Sequence, residues 1–253
     1  MNLKALLSFL LAINGFLLLA QDRTILQVPG RAMPASVSME GISVLPSGRF
    51  VKPAGQVKKI THDPFGLVIS PDGSMAVTLH NGVMTILHLK SDVVVRVPDY
   101  DKKIASPFEK GSLLGASFYK DNKTVFLSAG DVGKVIAYDC KQLKVVNVYE
   151  LDGVFGDSTY HDSFTSDLVY NEMNNELIVL DQANYRMVRI DCTTKQITAS
   201  VPVGRLPFGL ALSPDRKTAV VANVGMYAYP LIEGITKQNF DSMLLPGFPY
   251  GNN

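Results

Sequence analysis

The sequence predicts an all-β fold made of repeated four-stranded units, and three observations carry that prediction. First, a ten-residue phrase recurs. Pro64-Phe65-Gly66-Leu67-Val68-Ile69-Ser70-Pro71-Asp72-Gly73 returns 143 residues later as Pro207-Phe208-Gly209-Leu210-Ala211-Leu212-Ser213-Pro214-Asp215-Arg216. That offset is close to three units of about 48 residues, the length of a propeller blade. Second, two weaker copies fill the gap. Leu114-Gly115-Ala116-Ser117-Phe118 leads to Lys120-Asp121-Asn122, and Phe164-Thr165-Ser166-Asp167-Leu168-Val169 leads to Asn171. Third, the runs after each copy are short, about 4–8 residues, and rich in Val, Ile and Thr, as strands are.

The repeat position is marked by Phe65, Leu114, Phe164 and Phe208, spaced 49, 50 and 44 residues apart. Within the first unit four strands are expected, over Gly66–Ser70, Met75–His80, Val83–Leu89 and Val93–Val97. Pro71-Asp72-Gly73 supplies turn chemistry, and Asn81-Gly82 is a type I′ hairpin signal. The second unit gives Thr124–Ser128, Lys134–Tyr138 and Val145–Glu150. The third gives Leu177–Asp181, Met187–Asp191 and Ile197–Pro202. No 3.6-residue apolar period follows residue 20. Four strands per unit at blade length specify a β-propeller of four-stranded blades. A β-sandwich is the competing fold, but its strands do not repeat a phrase at a fixed period. Trp is absent, so no Trp-Asp blade signature is present.

The bulk properties agree. The 253 residues suffice for one large all-β domain, and 47% hydrophobic against 19% charged residues decides against disorder. The formal net charge of +1 gives no basic or acidic excess, so nucleic acid is not an expected partner. Met1–Lys4 is a short positive start, and Ala5–Ala20 an apolar run of 16 residues. That is shorter than the roughly 20 residues that span a bilayer. It reads as a secretory signal peptide, residues 1–20, cleaved after Ala20, although Leu18 is larger than the usual residue at that position. The mature chain is then expected to be secreted, periplasmic or at the cell surface, with no membrane span after cleavage. Residues 21–253 are read as the propeller segment. Cys140 and Cys192 both follow an Asp at the same repeat position, too far apart in adjacent blades to bridge, so buried or half-buried free thiols are expected.

The stretch from Pro207 to Asn223 resembles the start of a YVTN-type β-propeller repeat. The later part of that repeat is matched by Val188-Arg189-Ile190-Asp191, Thr194-Lys195-Gln196-Ile197 and Val201-Pro202-Val203-Gly204. Leu45 to Gly55 is similar to the opening of a subgroup of these proteins. In that subgroup a secreted propeller is often followed by an alkaline-phosphatase-like phosphoesterase domain. The resemblance covers about residues 42–223. It implies the propeller fold and, through the subgroup, a hydrolase or phosphoesterase domain downstream. The repeat stops after Asn223, and residues 224–253 read as a loop or insertion. Three complete blades and two partial ones are therefore expected: the first strands of a fourth unit, and an N-terminal hairpin, Ile42–Leu45 with Arg49–Lys52. The propeller is expected to be incomplete in this chain.

One group of polar residues is in register with the repeat. His62-Asp63 precedes Pro64-Phe65, and His161-Asp162 precedes Ser163-Phe164, 99 residues later. The equivalent pairs elsewhere are Gly111-Ser112 and Arg205-Leu206. Residues just before an innermost strand lie near the mouth of the channel, where propellers bind ligands. A rim of His62, Asp63, His161, Asp162 and Arg205 suits an anion or a metal. The other reading is that these His and Asp serve the inter-blade loops. No cofactor is required. A divalent cation such as Ca²⁺ is the alternative, with Asp63 and Asp162 as the weak metal candidates. The longest inter-blade segment also holds Asp152, Asp157, His161, Asp162 and Asp167, read as a solvated acidic loop lacking the EF-hand order. The aromatic residues fall at repeat positions and are expected in the core between blades. No Gly-x-Ser-x-Gly elbow, phosphate-binding loop or His-x-x-x-His pair occurs. These features favour an exported binding module for a ligand, protein partner or surface glycan. The alternative is a lactonase-like metal-dependent hydrolase using the channel.

Overall fold

The computed structural model describes residues 27–107 and 115–225, together with Gly234, Asn239 and Ser242. The signal segment 1–20, the Gly111-Ser112 position and nearly all of 224–253 lie outside the described residues. The chain divides into two compact units, one ending at Lys59 and the other beginning at Ile60.

In the first unit a short hairpin pairs β1 (Ser43–Val44) with β2 (Phe50–Val51) around Pro46-Ser47-Gly48. Ser36 bridges to Val44 on the other side.

The second unit is all strand and turn among the described residues, and three four-stranded antiparallel sheets form its frame. The first blade runs β3 (Gly66–Ile69), β4 (Met75–His80), β5 (Val83–His88) and β6 (Val93–Val97). The second runs β7 (Ala116–Phe118), β8 (Thr124–Ser128), β9 (Lys134–Asp139) and β10 (Lys144–Glu150). A hairpin of β11 (Gly153–Phe155) and β12 (Ser158–Tyr160) follows, where the sequence suggested only an acidic loop. The third blade is β13 (Thr165–Asn171), β14 (Glu176–Asp181), β15 (Arg186–Asp191) and β16 (Ile197–Pro202). β17 (Pro207–Leu212) and β18 (Ala219–Asn223) form a two-stranded half-blade. Each sheet pairs its strands in chain order, as propeller blades do, and among the described residues none hydrogen-bonds back to close a ring.

The turns explain why the phrase repeats. Each turn inside a blade needs one residue with left-handed backbone. Gly73, Asn122, Asn175 and Arg216 take that place after the first strand of each blade, with φ of 66°, 60°, 52° and 57°. Gly82, Gly133 and Tyr185 take it after the second strand, and Asp92, Leu143 and Lys195 after the third. None is β-branched, the class that this backbone excludes most strongly. Aspartates fix the same turns. Asp121 accepts the Lys123 and Thr124 amides, Asp139 those of Lys141 and Gln142, and Asp191 those of Thr193 and Thr194.

Two cores lie between neighbouring blades. The first joins Val77, Leu79, Met84 and Ile86 to Val125, Leu127, Ile136 and Tyr138. The second joins Phe126, Val135 and Ala137 to Leu177, Val179, Val188 and Ile190. The second strands β4, β8 and β14 are therefore buried on both faces along their whole length. Outer strands are wet: Val145, Val146 and Val148 of β10 are exposed. The expectation of aromatic residues in the core holds for Phe126, Tyr138, Tyr149 and Tyr170 but fails for Phe65 and Phe208, which are 60% and 52% exposed. Both sit on the innermost-strand side, where no neighbouring blade covers them. Phe65, Phe208 and Asp167 instead line one cleft.

Innermost strands are stitched across blades by polar groups. The Tyr170 amide donates to Ser117 Oγ at 3.0 Å, and the Leu210 amide to Asp167 Oδ2 at 2.8 Å. Asp167 packs so closely on the second blade that a Cβ on Gly115 would stand 2.7 Å from its Oδ1. At Gly209 a Cβ would meet only Ala222 at 3.7 Å, an ordinary contact. Gly115→Ala should therefore lower stability by about 1–3 kcal/mol through overpacking, while Gly209→Ala should be near neutral. Urea midpoints of the two variants check this, and equal midpoints would refute the close approach.

Both cysteines are free, Cys140 buried and Cys192 half-buried. Burial, with Asp139 nearby, pushes the Cys140 thiol up to about 12, and burial with Asp191 raises Cys192 to about 11. The thiolate is the reactive form. Alkylation at pH 8 should thus be slow in the native protein, slower at Cys140 than at Cys192, and fast at both in denaturant. Peptide mass mapping over time reads this order directly.

Candidate functional site

The rim candidates sit where a backbone constraint puts them. Asp63, Asp162 and Leu206 precede the innermost strands of three repeats, and their φ values are 51°, 51° and 48°. The position demands a left-handed residue, which Asp tolerates better than most. Leu206 shows that the demand comes from the loop and not from the carboxylate. His62 Nδ1 lies 3.0 Å from Asp63 Oδ2, with both side chains nearly four-fifths exposed. His161 and Asp162 are likewise exposed. The His161 carbonyl accepts from Asn184 Nδ2 at 3.2 Å, which holds the loop and leaves the imidazole outward. Arg205 lies with its guanidinium 5.8 Å from the Tyr185 ring centroid. Among the described residues, no hydrogen bond joins the His62–Asp63 pair to the His161–Asp162 pair. Nor do three His, Cys, Asp or Glu gather as metal ligands among those residues.

The acidic segment is not uniformly solvated. Asp152 accepts the Ser163 amide at 3.0 Å. Burial works against its charge, yet the bonds from Ser163 and the Asp162 amide, with His161 nearby, hold its carboxyl below the usual value. Asp167 is the opposite case. Burial raises its carboxyl, although the Leu210 and Leu168 amides oppose the rise. Both carboxylates are engaged by backbone donors, which is structural work.

Sequence reasoning missed what anchors the rim. In each blade the last residue of the second strand reaches the loop before the innermost strand. His80 Nδ1 lies 2.6 Å from the His62 carbonyl, and its Nε2 contacts the Thr78 and Thr85 hydroxyls. Ser128 Oγ accepts the Gly115 amide at 2.7 Å. Asp181 accepts from Ser163 Oγ, the Phe164 amide and Asn184 Nδ2. His80, Ser128 and Asp181 are all buried, and their differing side chains leave no shared letter in the repeat.

The third blade carries the most elaborate anchor. Arg186 is 2% exposed and Asp181 0%, and Arg186 Nε donates to Asp181 Oδ2 at 2.8 Å. Arg186 Nη2 donates to the Leu151 carbonyl at 2.6 Å. The guanidinium lies 3.5 Å from the centroid of the Tyr160 ring, a cation–π stack, and Ser200 Oγ donates to the Tyr160 hydroxyl. One buried cation thereby ties the β11–β12 hairpin, the loop carrying His161-Asp162 and the turn after β14. A sequence signal was faint: Asp181 and Arg186 flank a turn and read as ordinary strand-end charges.

No family model matches the chain, and no curated protein matches it. Among solved structures it is similar to the hydrazine synthase of Kuenenia stuttgartiensis, with a TM-score of 0.51 and 17% identity over 69% of this chain and 46% of that one. It is also similar to a chain of the mitotic checkpoint complex, with a TM-score of 0.54 and 12% identity over 67% of this chain and 48% of that one. The chain thus spans just under half the length of these two structures. At these identities the likeness shows the fold alone, and it agrees with blades of β-propeller type.

Removing one partner of a buried, hydrogen-bonded ion pair costs about 3–5 kcal/mol. Arg186→Ala should lose that much in a urea titration, because it strands the Asp181 carboxylate. It should also raise amide exchange through residues 152–164. A loss below about 1 kcal/mol, the worth of an exposed pair, would show that Arg186 does not hold the hairpin.

Proposed function

We propose that this chain is an exported β-propeller binding module that takes its ligand at the mouth of the central channel. The observation that carries this is the presentation of His62-Asp63 and His161-Asp162. Two equivalent loops two blades apart hold the same pair of residues in the same left-handed geometry, with the side chains outward and the loops anchored from beneath. A polar pair repeated in space, with Arg205 on the next repeat, suits a polar ligand: a surface glycan or a protein partner. The exported location is inferred from the leader-like segment 1–20. The longer protein belongs to the same proposal: among the described residues β17–β18 has two strands where each preceding blade has four, and further strands would continue the repeat. The YVTN-type resemblance adds a hydrolase or phosphoesterase domain downstream.

Metal analysis of the purified mature protein, paired with a lactone hydrolysis assay, tests the module against a metal-dependent lactonase. Neither stoichiometric metal nor turnover is expected. Stoichiometric Ca²⁺ lost on Asp63→Asn with Asp162→Asn, accompanied by turnover, would replace the binding reading with the enzymatic one. On a glycan array, binding should fall at least tenfold in the His62→Ala/His161→Ala variant. The complete reading frame tests the longer protein, and a stop codon after Asn253 would end that part of the proposal.

A further inference from the structure

The turn between β4 and β5 sets a labile residue beside the anchor of a rim loop. It consists of Asn81 and Gly82 alone, closed by the His80↔Val83 pair. After residue 20 the sequence holds no other Asn-Gly pair. Asn81 is exposed, and Gly82 has a φ of 67° with nothing within 4 Å of where a Cβ would stand. Among the described residues neither the Asn81 side chain nor the Gly82 amide takes part in a hydrogen bond. Other asparagines of the blade turns are held, and larger residues follow them. Asn122 Oδ1 accepts the Asp72 amide, and Asn171, Asn174, Asn175 and Asn184 each donate from Nδ2 to a neighbouring side chain.

Asparagine is among the thermally labile residues, and most so where the next amide nitrogen is uncovered. Here the Gly82 nitrogen attacks Asn81 Cγ and a C–N bond forms. The side-chain nitrogen leaves as ammonia, with the proton that the Gly82 amide gives up. The resulting five-membered imide takes up water. Opening at Cγ yields aspartate. Opening at the backbone carbonyl yields isoaspartate, whose main chain runs through the side-chain methylene. Water is the only reagent consumed.

The neighbours of this turn hold the loop before β3. His80 is 1% exposed, with Nδ1 2.6 Å from the His62 carbonyl and Nε2 2.9 Å from the Thr78 hydroxyl. On the other arm of the hairpin Thr85 Oγ1 donates to Thr61 Oγ1 at 3.0 Å. A two-residue loop fixes the register of its strands. An added backbone methylene there shifts His80 against Val83 and Thr85, and a displaced His80 loses the His62 carbonyl. The equivalent turns of the second and third blades, 129–133 and 182–185, carry no Asn-Gly pair.

We propose that Asn81-Gly82 is a self-modifying site, at which conversion of Asn81 to isoaspartate releases the loop carrying His62-Asp63. The proposal rests on the hairpin and its two anchors and not on ligand binding at the channel mouth, so either reading can fail alone.

Incubation of the mature chain in mildly alkaline buffer, followed by ion exchange to separate the more acidic product, tests this. Peptide mapping uses isoaspartyl methyltransferase as the probe. Isoaspartate should accumulate at position 81 at least tenfold faster than at the other described asparagines. In the product, amide exchange over residues 60–66 should rise at least tenfold, while residues 163–166 of the third blade keep native protection. Asn81→Gln, whose longer side chain closes the ring slowly, should stay unmodified. Freshly purified Asn81→Asp, with the charge but no added methylene, should exchange as the native chain does. Conversion in denaturant but not in the folded chain would overturn the proposal, because the turn would then protect its amide. Isoaspartate with native exchange over 60–66 would overturn it too, as would an equal rise in Asn81→Asp. Loss of protection in every blade would also do so, since release would then be global unfolding.

Discussion

Burial of a sheet on both faces is the constraint on which the rest of this structure depends. β4, β8 and β14 are covered along their full length, and no single blade achieves that by itself. Val77 and Leu79 are dry because Val125 and Leu127 stand against them, and Phe126 is dry because Val179 and Val188 do. A buried apolar side chain is worth about 1.5–3 kcal/mol, so each interface outweighs any local preference in its strands. The repeat follows from this. Once one blade presents an apolar face, the next must present the complementary one.

The same constraint locates the incomplete part. Val220 at the open half-blade is 63% exposed, whereas β14, its counterpart in the preceding blade, is wholly buried. β17 is secured by the Asp167 carboxylate and by Ser166, which donates to the Pro207 carbonyl.

The loops before the innermost strands are positioned by buried polar groups rather than by the exposed ones. His62-Asp63 and His161-Asp162 were legible because they repeat in sequence. Their anchors, His80 and the Asp181–Arg186 pair, were not, because each blade solves the same problem with a different residue. The left-handed φ at Asp63 and Asp162 was equally hidden. Only beside Leu206, with the same backbone and no carboxylate, does Asp become intelligible as a residue chosen partly by the turn. Phe65 and Phe208 were misassigned for a related reason. A repeated aromatic signals burial in most sheets, but Phe65 and Phe208 line an open cleft beside Asp167.

The sequence by itself determined the strands, the turns and the blade period, because these follow from short-range chemistry: β-branched runs, Pro-Asp-Gly and Asn-Gly turns, and an apolar residue returning every 44 to 50 positions. The ends of β4, β6, β8 and β16 fall on the expected residues, and the other expected ends lie within a residue of them. Tertiary structure alone decided which charges are buried, where a hairpin replaces a loop and why Gly115 must be glycine. Those properties arise from contacts between residues tens of positions apart. Leu151 meeting Arg186, and Gly115 meeting Asp167, depend on how neighbouring blades stack, and no local pattern records that distance.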